Sequence, residues 1–217
     1  MFARHVQASV YVSQDLRTRV GLPGKIIYNP VSLVTRSKLP AEDESDVIAF
    51  AGRLVREKGL GILLRAMQSV PDARLRIAGD GPLRARLERL AFDLGIMSRT
   101  SFLGELLDQE LVDLFAASTV VCVPSVWVEA FGYAAAEAMA LGRPVVGLPT
   151  GALPELLAEG RGFLADDSTP PALAAALRTA LESEVARRQV GEAARDFAYR
   201  WFHPDVVGAR YLEVYQA

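Results

Sequence analysis

The sequence predicts an α/β fold in which a parallel β-sheet has helices on both faces. From about residue 47 onward, short β-branched runs alternate with segments of helical periodicity, a pattern typical of parallel sheets. The six predicted strands are VIAFA at 47, RLRIA at 74, TSFL at 100, TVVCVP at 119, PVVGLP at 144 and GFLA at 162. Strictly alternating strand and helix segments indicate crossover connections, so neighbouring strands should run in the same direction.

Four of the intervening helices can be placed from apolar stripes and start signals. The first two stripes consist of Leu60, Leu63, Leu64 and Met67 and of Leu83, Leu87, Leu90 and Leu94. Pro82 is predicted as the first residue of the second helix, which Gly95 follows. A third helix should follow Asp108, and a fourth should begin near Ser168 with two prolines in its first turn.

Residues 1–40 differ in pattern from the rest of the chain. They consist of a predicted strand ASVYVS, a helix SQDLRTRV, a Pro-Gly turn and a strand KIIYNPV, which together resemble the end of another sheet. The polar, acidic stretch LPAEDESD at 39–46 is predicted to be a linker, which divides the chain into 1–40 and 41–217. A piece this short either packs against the larger domain or pairs with strands from elsewhere, including a second copy of the chain as a homodimer.

Composition and charge exclude several classes of partner. The chain has 217 residues, of which 51% are hydrophobic and 23% charged, as in ordinary soluble domains. Its net charge of -2 gives no overall field for nucleic acid or an anionic membrane. The single cysteine, Cys122, permits no internal disulfide, and no signal peptide or membrane span is evident. We therefore expect a cytoplasmic protein without a nucleic-acid partner.

Small and polar residues follow almost every predicted strand. They are Gly52-Arg53, Gly79-Asp80-Gly81-Pro82, Gly104-Glu105, Pro124-Ser125 and Thr150-Gly151. The carboxyl ends of parallel strands share one edge of the sheet, where open α/β folds bind ligands and helix N-termini offer N–H groups to anions. The glycines could instead serve only tight turns. Their joint placement favours a phosphate-bearing ligand at this edge.

Two cations and two carboxylates lie in segments predicted at the same edge. Arg53 and Lys58, in AGRLVREKG, could together neutralise a diphosphate, although isolated cations are more often solvated. Glu129 precedes an alanine-rich helix that should start near Gly132, and Glu137 lies one turn inside it. A ribose hydroxyl pair would be a suitable partner for a carboxylate packed among alanines, and a capping carboxylate on an exposed helix face is the alternative.

Five segments together resemble the retaining glycosyltransferases of the GT-B fold, known as group 1 or family 4. The segments, in the family's order and approximate spacing, are AGRLVREKG, LRIAGDGPLR, TSFLGEL, STVVCVPSVWVEAFGYAAAEAMALGRPVV and TGALPELL. Each segment alone is weak evidence for the family, whereas the five segments together are specific to it. The resemblance covers nearly the whole chain and implies the Rossmann-like C-terminal domain of that fold, which binds a nucleoside-diphosphate sugar.

The resemblance implies a role for each matching residue. Those matched to the donor site are Gly52, Arg53, Lys58, Gly79, Gly81, Leu103, Gly104, Glu129, Phe131, Gly132, Tyr133 and Glu137. Arg53 and Lys58 match the pair that binds the diphosphate, Glu129 the carboxylate that holds the donor sugar, and Glu137 the ribose ligand. Arg53, Lys58 and Glu129 are thus the predicted catalytic residues. The turn from Phe131 to Tyr133 would contact sugar and phosphate through its backbone, and Leu103 and Gly104 would contact the base.

The acceptor-binding N-terminal domain of the resembled family is almost entirely missing from the sequence. Residues 1–40 resemble only its last strand-helix-strand unit, so His5 does not match the family's catalytic-side histidine. His203 and Glu155 are expected to be structural, and Asp166-Asp167 is expected to form a turn before a helix. No cofactor and no metal site are predicted.

Three hypotheses remain open from the sequence. The chain is a donor-binding half or subunit that needs an acceptor-binding partner, a non-catalytic nucleotide-sugar-binding module, or a related epimerase or phosphorylase. The last is disfavoured because no pyridoxal phosphate site is found. The sequence selects neither UDP nor GDP, and it identifies neither sugar nor acceptor.

Overall fold

A parallel six-stranded sheet forms the centre of the molecule, for which a computed structural model describes residues 8–32 and 46–216. Two short parallel strands precede it, β1 (Val10–Tyr11) and β2 (Lys25–Ile26). The main sheet comprises β3 (Val47–Ala51), β4 (Arg74–Ala78), β5 (Thr100–Gly104), β6 (Val120–Val123), β7 (Val145–Gly147) and β8 (Phe163–Leu164). All six strands lie where the sequence predicts them, which confirms the α/β fold class.

Helices connect these strands and complete the chain. They are α1 (Gln14–Val20), α2 (Leu60–Ala66), α3 (Arg84–Asp93), α4 (Asp108–Ala116), α5 (Tyr133–Ala140), α6 (Leu153–Leu157), α7 (Pro170–Glu182), α8 (Glu184–Trp201) and α9 (Pro204–Tyr215). The prediction for Pro82 is wrong, because α3 begins two residues later, at Arg84. The linker predicted at 39–46 lies almost wholly outside the described residues, as does His5.

The strand order β5-β4-β3-β6-β7-β8 is that of a Rossmann fold. β3 pairs in parallel with β4 on one side and with β6 on the other. The chain therefore moves outward from β3 to β5, crosses back, and moves outward again from β6 to β8. This reversal is a topological switch point, and open α/β sheets bind ligands outside the carboxyl ends of the strands at such a point.

Apolar side chains fill both faces of the sheet. Ile48 and Phe50 of β3 pack with the helices α2, α3 and α7 on one face, whereas Ala49 packs with α4, α5, α6 and α8 on the other. The same alternation occurs in β6, where Cys122 belongs to the first cluster and Val121 to the second. Burial raises the pKa of the Cys122 thiol far above its usual range. The sheet is thus covered on both faces, as its β-branched strands predict.

Two glycines in the loops after β3 and β4 lie too close to neighbouring loops to be replaced by residues with side chains. A Cβ atom on Gly59 would overlap the carbonyl oxygen of Pro124, and one on Gly79 would overlap that of Gly52. Gly59 has a φ of 67° and Gly79 a φ of 124°, which glycine adopts most readily. Gly59 ends the 3-10 turn Arg56–Lys58 and begins α2, so this contact fixes the turn against the loop after β6.

Residues 8–32 pack against the domain formed by the main sheet. The Glu155 carboxylate accepts hydrogen bonds from the backbone N–H groups of Gln14 (2.9 Å) and Asp15 (3.1 Å), and so caps α1. The Tyr28 ring contacts Phe202 edge to face at 5.3 Å, and the Val31 N–H donates to the Phe202 carbonyl at 3.0 Å. Burial and the Glu155 charge raise the pKa of the Tyr28 phenol above its usual range. The described residues of this segment thus pack onto the larger domain, as the first of the two alternatives drawn from the sequence expects.

In the described part of the chain, no helix combines the length and the apolar character needed to cross a membrane.

We predict that Glu155→Gln loosens α1. The neutral amide is a weaker acceptor than the carboxylate, so the amides of Gln14 and Asp15 should exchange faster with deuterium and the local free energy of opening should fall by about 1 kcal/mol. Hydrogen exchange measured by NMR tests this, with Glu213→Gln on the exposed face of α9 as the matched control. Unchanged exchange at both amides would show that Glu155 does not hold the segment.

A second prediction compares Gly59→Ala with Gly95→Ala. The two glycines have nearly equal φ values of 67° and 69°, but nothing lies within 4 Å of the position of a Cβ on Gly95. Left-handed strain should therefore cost both variants about 1–2 kcal/mol of unfolding free energy. Gly59→Ala should lose about 1–3 kcal/mol more, because the new methyl group collides with the Pro124 carbonyl. Urea denaturation of both variants gives the difference, and equal losses would be inconsistent with the loop contact.

Candidate functional site

The candidate site lies at the carboxyl ends of β3 and β6. The chain leaves β3 through Gly52 and Arg53 and enters the turn that contains Lys58, while β6 ends at Pro124 and leads through Ser125 to Glu129. The two loops are adjacent because β3 and β6 are neighbours in the sheet. Four of the predicted site residues, Arg53, Lys58, Glu129 and Glu137, therefore belong to segments that leave the sheet at its switch point.

Lys58 and Glu129 form an ion pair across the two loops. The Lys58 ammonium nitrogen lies 2.5 Å from Glu129 Oε1, and the Ser125 hydroxyl donates to the same oxygen at 2.5 Å. The other oxygen, Oε2, accepts no hydrogen bond from a described residue. Thr150 in turn donates to the Ser125 carbonyl at 2.6 Å, and so holds the loop from the β7 side. The carboxylate is fixed in orientation with one oxygen available.

Backbone contacts reinforce the contact between these loops. The Glu57 carbonyl accepts hydrogen bonds from the N–H groups of Val126 (2.9 Å) and Trp127 (3.3 Å). On the far side, the Ala152 N–H donates to the Glu129 carbonyl at 3.0 Å. Glu129 is thus held from both neighbouring loops. Such support on both sides keeps the position of a functional carboxylate well defined.

Arg53 is exposed and makes no side-chain hydrogen bond or ion pair with any described residue. It follows Gly52, whose N–H donates to the Ala78 carbonyl, and precedes Leu54, whose N–H donates to the Asp80 carbonyl at 2.8 Å. The backbone on both sides of Arg53 is thus tied to the loop after β4, and the guanidinium group is available to an anion.

The N-terminus of α5 presents free backbone donors. Gly132, with φ 84°, precedes the first helical residue, Tyr133. The N–H groups of Phe131, Gly132 and Tyr133 donate to no described residue, as expected for the first turn of a helix. The Phe131 side chain is buried among aromatic rings, with Phe202 at 5.3 Å, and does not take part in the open edge. This turn can therefore contact a ligand through its backbone N–H groups.

Glu137 lies one turn inside α5 and is half-buried. Its carboxylate accepts no hydrogen bond from a described residue. Burial, and secondarily the Asp108 carboxylate at the start of α4, raise the pKa of Glu137 above its ordinary value. A partly desolvated carboxylate without a partner is costly, and two hydroxyl donors from a ligand would offset that cost. A half-buried carboxylate with a raised pKa is therefore a candidate for ligand binding.

The loops after β4 and β5 complete the edge. Asp80 accepts a hydrogen bond from the Gly81 N–H at 2.6 Å and pairs with Arg84 at 3.1 Å, and both contacts lower the pKa of Asp80. The Gly79 N–H donates to the Gly104 carbonyl at 2.6 Å, which joins the two loops, and Leu103 is 42% exposed beside them. Gly79, Gly81, Leu103 and Gly104 thus share one end of the edge, with an apolar residue open to solvent.

Three residues expected to be structural have structural contacts. The His203 ring accepts a hydrogen bond from the Asp205 N–H at 3.2 Å and caps α9. The Asp167 carboxylate accepts one from the Thr169 N–H at 2.8 Å, in the turn that precedes α7. Glu155 caps α1, as described above.

Sequence reasoning missed two contributors to the site. One is the Ser125 hydroxyl, which donates to Glu129; the spacing of four residues in one loop is the signal for this local contact. The ion pair of Asp80 with Arg84 was also missed, and its signal was the four-residue spacing at the start of a helix.

Comparisons with known proteins identify the family. Residues 33–197 match the family described as Glycosyl transferases group 1. A D-inositol 3-phosphate glycosyltransferase of Corynebacterium kroppenstedtii is 37% identical over 179 residues, which cover 77% of this chain and 40% of that protein. A GDP-mannose-dependent monoacylated alpha-(1-6)-phosphatidylinositol monomannoside mannosyltransferase of Corynebacterium glutamicum is 32% identical over 193 residues, covering 84% of this chain and 50% of that protein.

A solved structure shows the same fold. The crystal structure of Anabaena HepE in complex with UDP superposes with a TM-score of 0.87 at 25% identity, covering 96% of this chain and 63% of that one. The chain thus spans about half or less of the curated relatives it matches and somewhat more of this structure. With its Rossmann-like sheet and the loops at its switch point, the chain belongs to the group 1 glycosyltransferases of the GT-B fold.

Proposed function

We propose that the chain is the donor-binding half of a glycosyltransferase that transfers a sugar from a nucleoside-diphosphate sugar to an acceptor with retention of configuration. The observation that supports this most directly is the ion pair of Lys58 with Glu129 across the switch point, with Arg53 in the same loop and Glu137 one turn inside α5. Cations and carboxylates in this order match the parts of such a donor, which are phosphates, sugar hydroxyls and ribose. Two similar proteins agree with a nucleotide-sugar donor, since one is GDP-mannose-dependent and the other was crystallised with UDP.

Arg53 and Lys58 are proposed to bind the donor diphosphate. Arg53 offers a planar fork of donors without a competing partner among the described residues, and Lys58 a compact charge. The free N–H groups of Phe131, Gly132 and Tyr133 add the positive end of the α5 dipole. As the bond from the sugar to the diphosphate breaks, negative charge grows on the leaving group, and these donors stabilise it more than the ground state. We propose that the two cations make a metal ion unnecessary.

Glu129 is proposed to hold the donor sugar. Its Oε1 is occupied by Lys58 and Ser125, which leaves Oε2 for a sugar hydroxyl. The contact also places the Lys58 ammonium beside the sugar end of the diphosphate. In a retaining transfer the departing diphosphate assists attack from its own face of the sugar, so its orientation relative to the sugar matters. A carboxylate and an ammonium locked together would set that orientation.

Glu137 is proposed to accept hydrogen bonds from the two ribose hydroxyls, and the segment Leu103-Gly104 to contact the base. The half-buried position of Glu137 without a partner supports the first role, and the exposed Leu103 at the end of β5 supports the second. The acceptor would bind to a separate domain or subunit, because the chain spans about half of its relatives. We propose the cytoplasm as its location, where nucleotide sugars are a common substrate.

We predict that UDP or GDP binds the purified chain and that the two cations are needed for it. Each charge-assisted hydrogen bond to phosphate is strong enough that Arg53→Ala and Lys58→Ala should each weaken binding about tenfold. Isothermal titration calorimetry with both nucleotides measures this and also identifies the base. Arg188→Ala, on the exposed face of α8, removes the same charge away from the site and should leave affinity unchanged. Full affinity in both site variants would contradict the proposed diphosphate contact.

Glu137→Gln should weaken nucleotide binding and stabilise the fold at neutral pH. Because the folded-state pKa of Glu137 is raised, its stabilising contribution is complete at low pH and is lost as pH rises through that pKa. The uncharged amide avoids this loss, so the free energy of unfolding should increase at pH 7 and change little below the ordinary carboxyl pKa of 4.5.

Nucleotide affinity of the same variant should fall about tenfold, because a charged acceptor for the ribose is removed. Urea unfolding at pH 7 and pH 4 and calorimetric titration provide the two measurements, with Glu192→Gln on α8 as the control. A variant that is less stable at pH 7, or one that binds nucleotide as well as the unchanged chain, would contradict the role given to Glu137.

A further inference from the structure

A concave surface lies beside the donor edge, between α2 and α3. This groove has a volume of about 980 Å³ and is open to solvent. One end is formed by the turn of Val55, Arg56 and Gly59 together with Val126 from the loop after β6. The groove then follows the outer sides of the two helices away from the site. Its size is that of pockets that bind small organic molecules.

Four arginines from two sides line the groove. Arg56 lies in the turn before α2 and Arg65 near the end of α2, whereas Arg86 and Arg89 lie on α3. All four are exposed, and none forms an ion pair with a described residue. Asp93 is the one carboxylate among the described lining residues. In a chain whose net charge is -2, this is a strong local excess of positive charge.

The groove also has an apolar surface between its arginines. The aliphatic lining residues are Val55, Ile62, Leu83, Leu87, Leu90 and Val126. Next to Val126, the Trp127 side chain is 66% exposed. Arginines around an aliphatic surface suit a ligand that has anionic groups on a body with apolar faces. Inorganic phosphate would use the charges and leave the aliphatic surface uncovered.

We propose that this groove binds an anionic saccharide chain, one whose sugar rings bear phosphate, sulfate or carboxylate groups. The rings would pack on the aliphatic residues and their anionic groups would pair with the guanidinium groups, which suit planar, bidentate recognition of such oxyanions. Arg56 lies in the turn before α2 and Arg65 in the last turn of α2, a helix about 10 Å long. The groove can therefore pair with several anionic groups along a saccharide chain. The proposed binding does not depend on the proposed function.

The shape of the surface favours such a chain over an anionic membrane. Arginines on both sides of a groove face a ligand that lies within it, whereas a bilayer meets a flat or convex surface. The groove also begins at Arg56, in the turn that contains Lys58, and at Val126, three residues before Glu129. If the donor site is as proposed, a saccharide bound here extends toward it.

The test is calorimetric titration of a heparin-derived hexasaccharide into the chain and into Arg86→Ala/Arg89→Ala. We expect binding that weakens with salt and that the double substitution reduces about tenfold or more, because two charge-assisted contacts are lost. The control, Arg188→Ala/Arg200→Ala on α8, removes the same charge outside the groove and should retain binding. Neutral maltohexaose should not bind at the same concentrations, and UDP or GDP titrated into both variants reports separately on the donor site.

Four results would overturn the proposal. The first two are no binding of the hexasaccharide and equal loss in the groove and control variants. The third is binding of inorganic pyrophosphate that is as tight as that of the hexasaccharide and is weakened equally by Arg86→Ala/Arg89→Ala. The fourth is binding only to phosphatidylglycerol vesicles in an Arg86- and Arg89-dependent manner. The last would assign the groove to a lipid surface. Because the donor nucleotide is titrated separately, failure of the saccharide to bind leaves the proposed donor site standing, and the reverse also holds.

Discussion

The close packing of the loops after β3 and β6 is the constraint on which the site depends. The parallel pairing of these two strands places the loops side by side, and the missing side chain of Gly59 lets the first loop approach the Pro124 carbonyl of the second. The hydrogen bonds from the N–H groups of Val126 and Trp127 to the Glu57 carbonyl fix the position of one loop relative to the other. Lys58 and Glu129, 71 residues apart in the chain, meet as a result.

The electrostatics of the edge follow from this packing. Glu129 neutralises Lys58, whereas Arg53 has no ion-pair partner among the described residues, so the guanidinium group of Arg53 is the positive charge most available to a diphosphate. Burial raises the pKa of Glu137 further along the edge, at a cost in stability near neutral pH. Functional sites often retain such locally unfavourable groups because a ligand compensates for them.

Much of the fold could be predicted, because each strand and most helices have local signals. The apolar run at Val47–Ala51 is typical of a buried strand, and the alanines of α5 are typical of a helix. The family resemblance then gives the positions of Glu129 and Glu137 along the chain relative to these elements. Contacts between distant segments could not be predicted, since they depend on strand register and helix placement. The capping of α1 by Glu155 joins residues 141 positions apart, and no local sequence pattern predicts such a contact. The four arginines of the groove come from two helices and a turn, so their charges converge only in the folded chain.

The central claim is that a nucleoside diphosphate binds at the switch point between β3 and β6. A crystal structure of the chain with UDP or GDP tests it most directly. We expect the diphosphate between Arg53, Lys58 and the N-terminus of α5, with the ribose hydroxyls at Glu137 and the base near Leu103. A nucleotide bound elsewhere on the chain, or at this edge with its ribose away from Glu137, would show that the donor site is assigned wrongly.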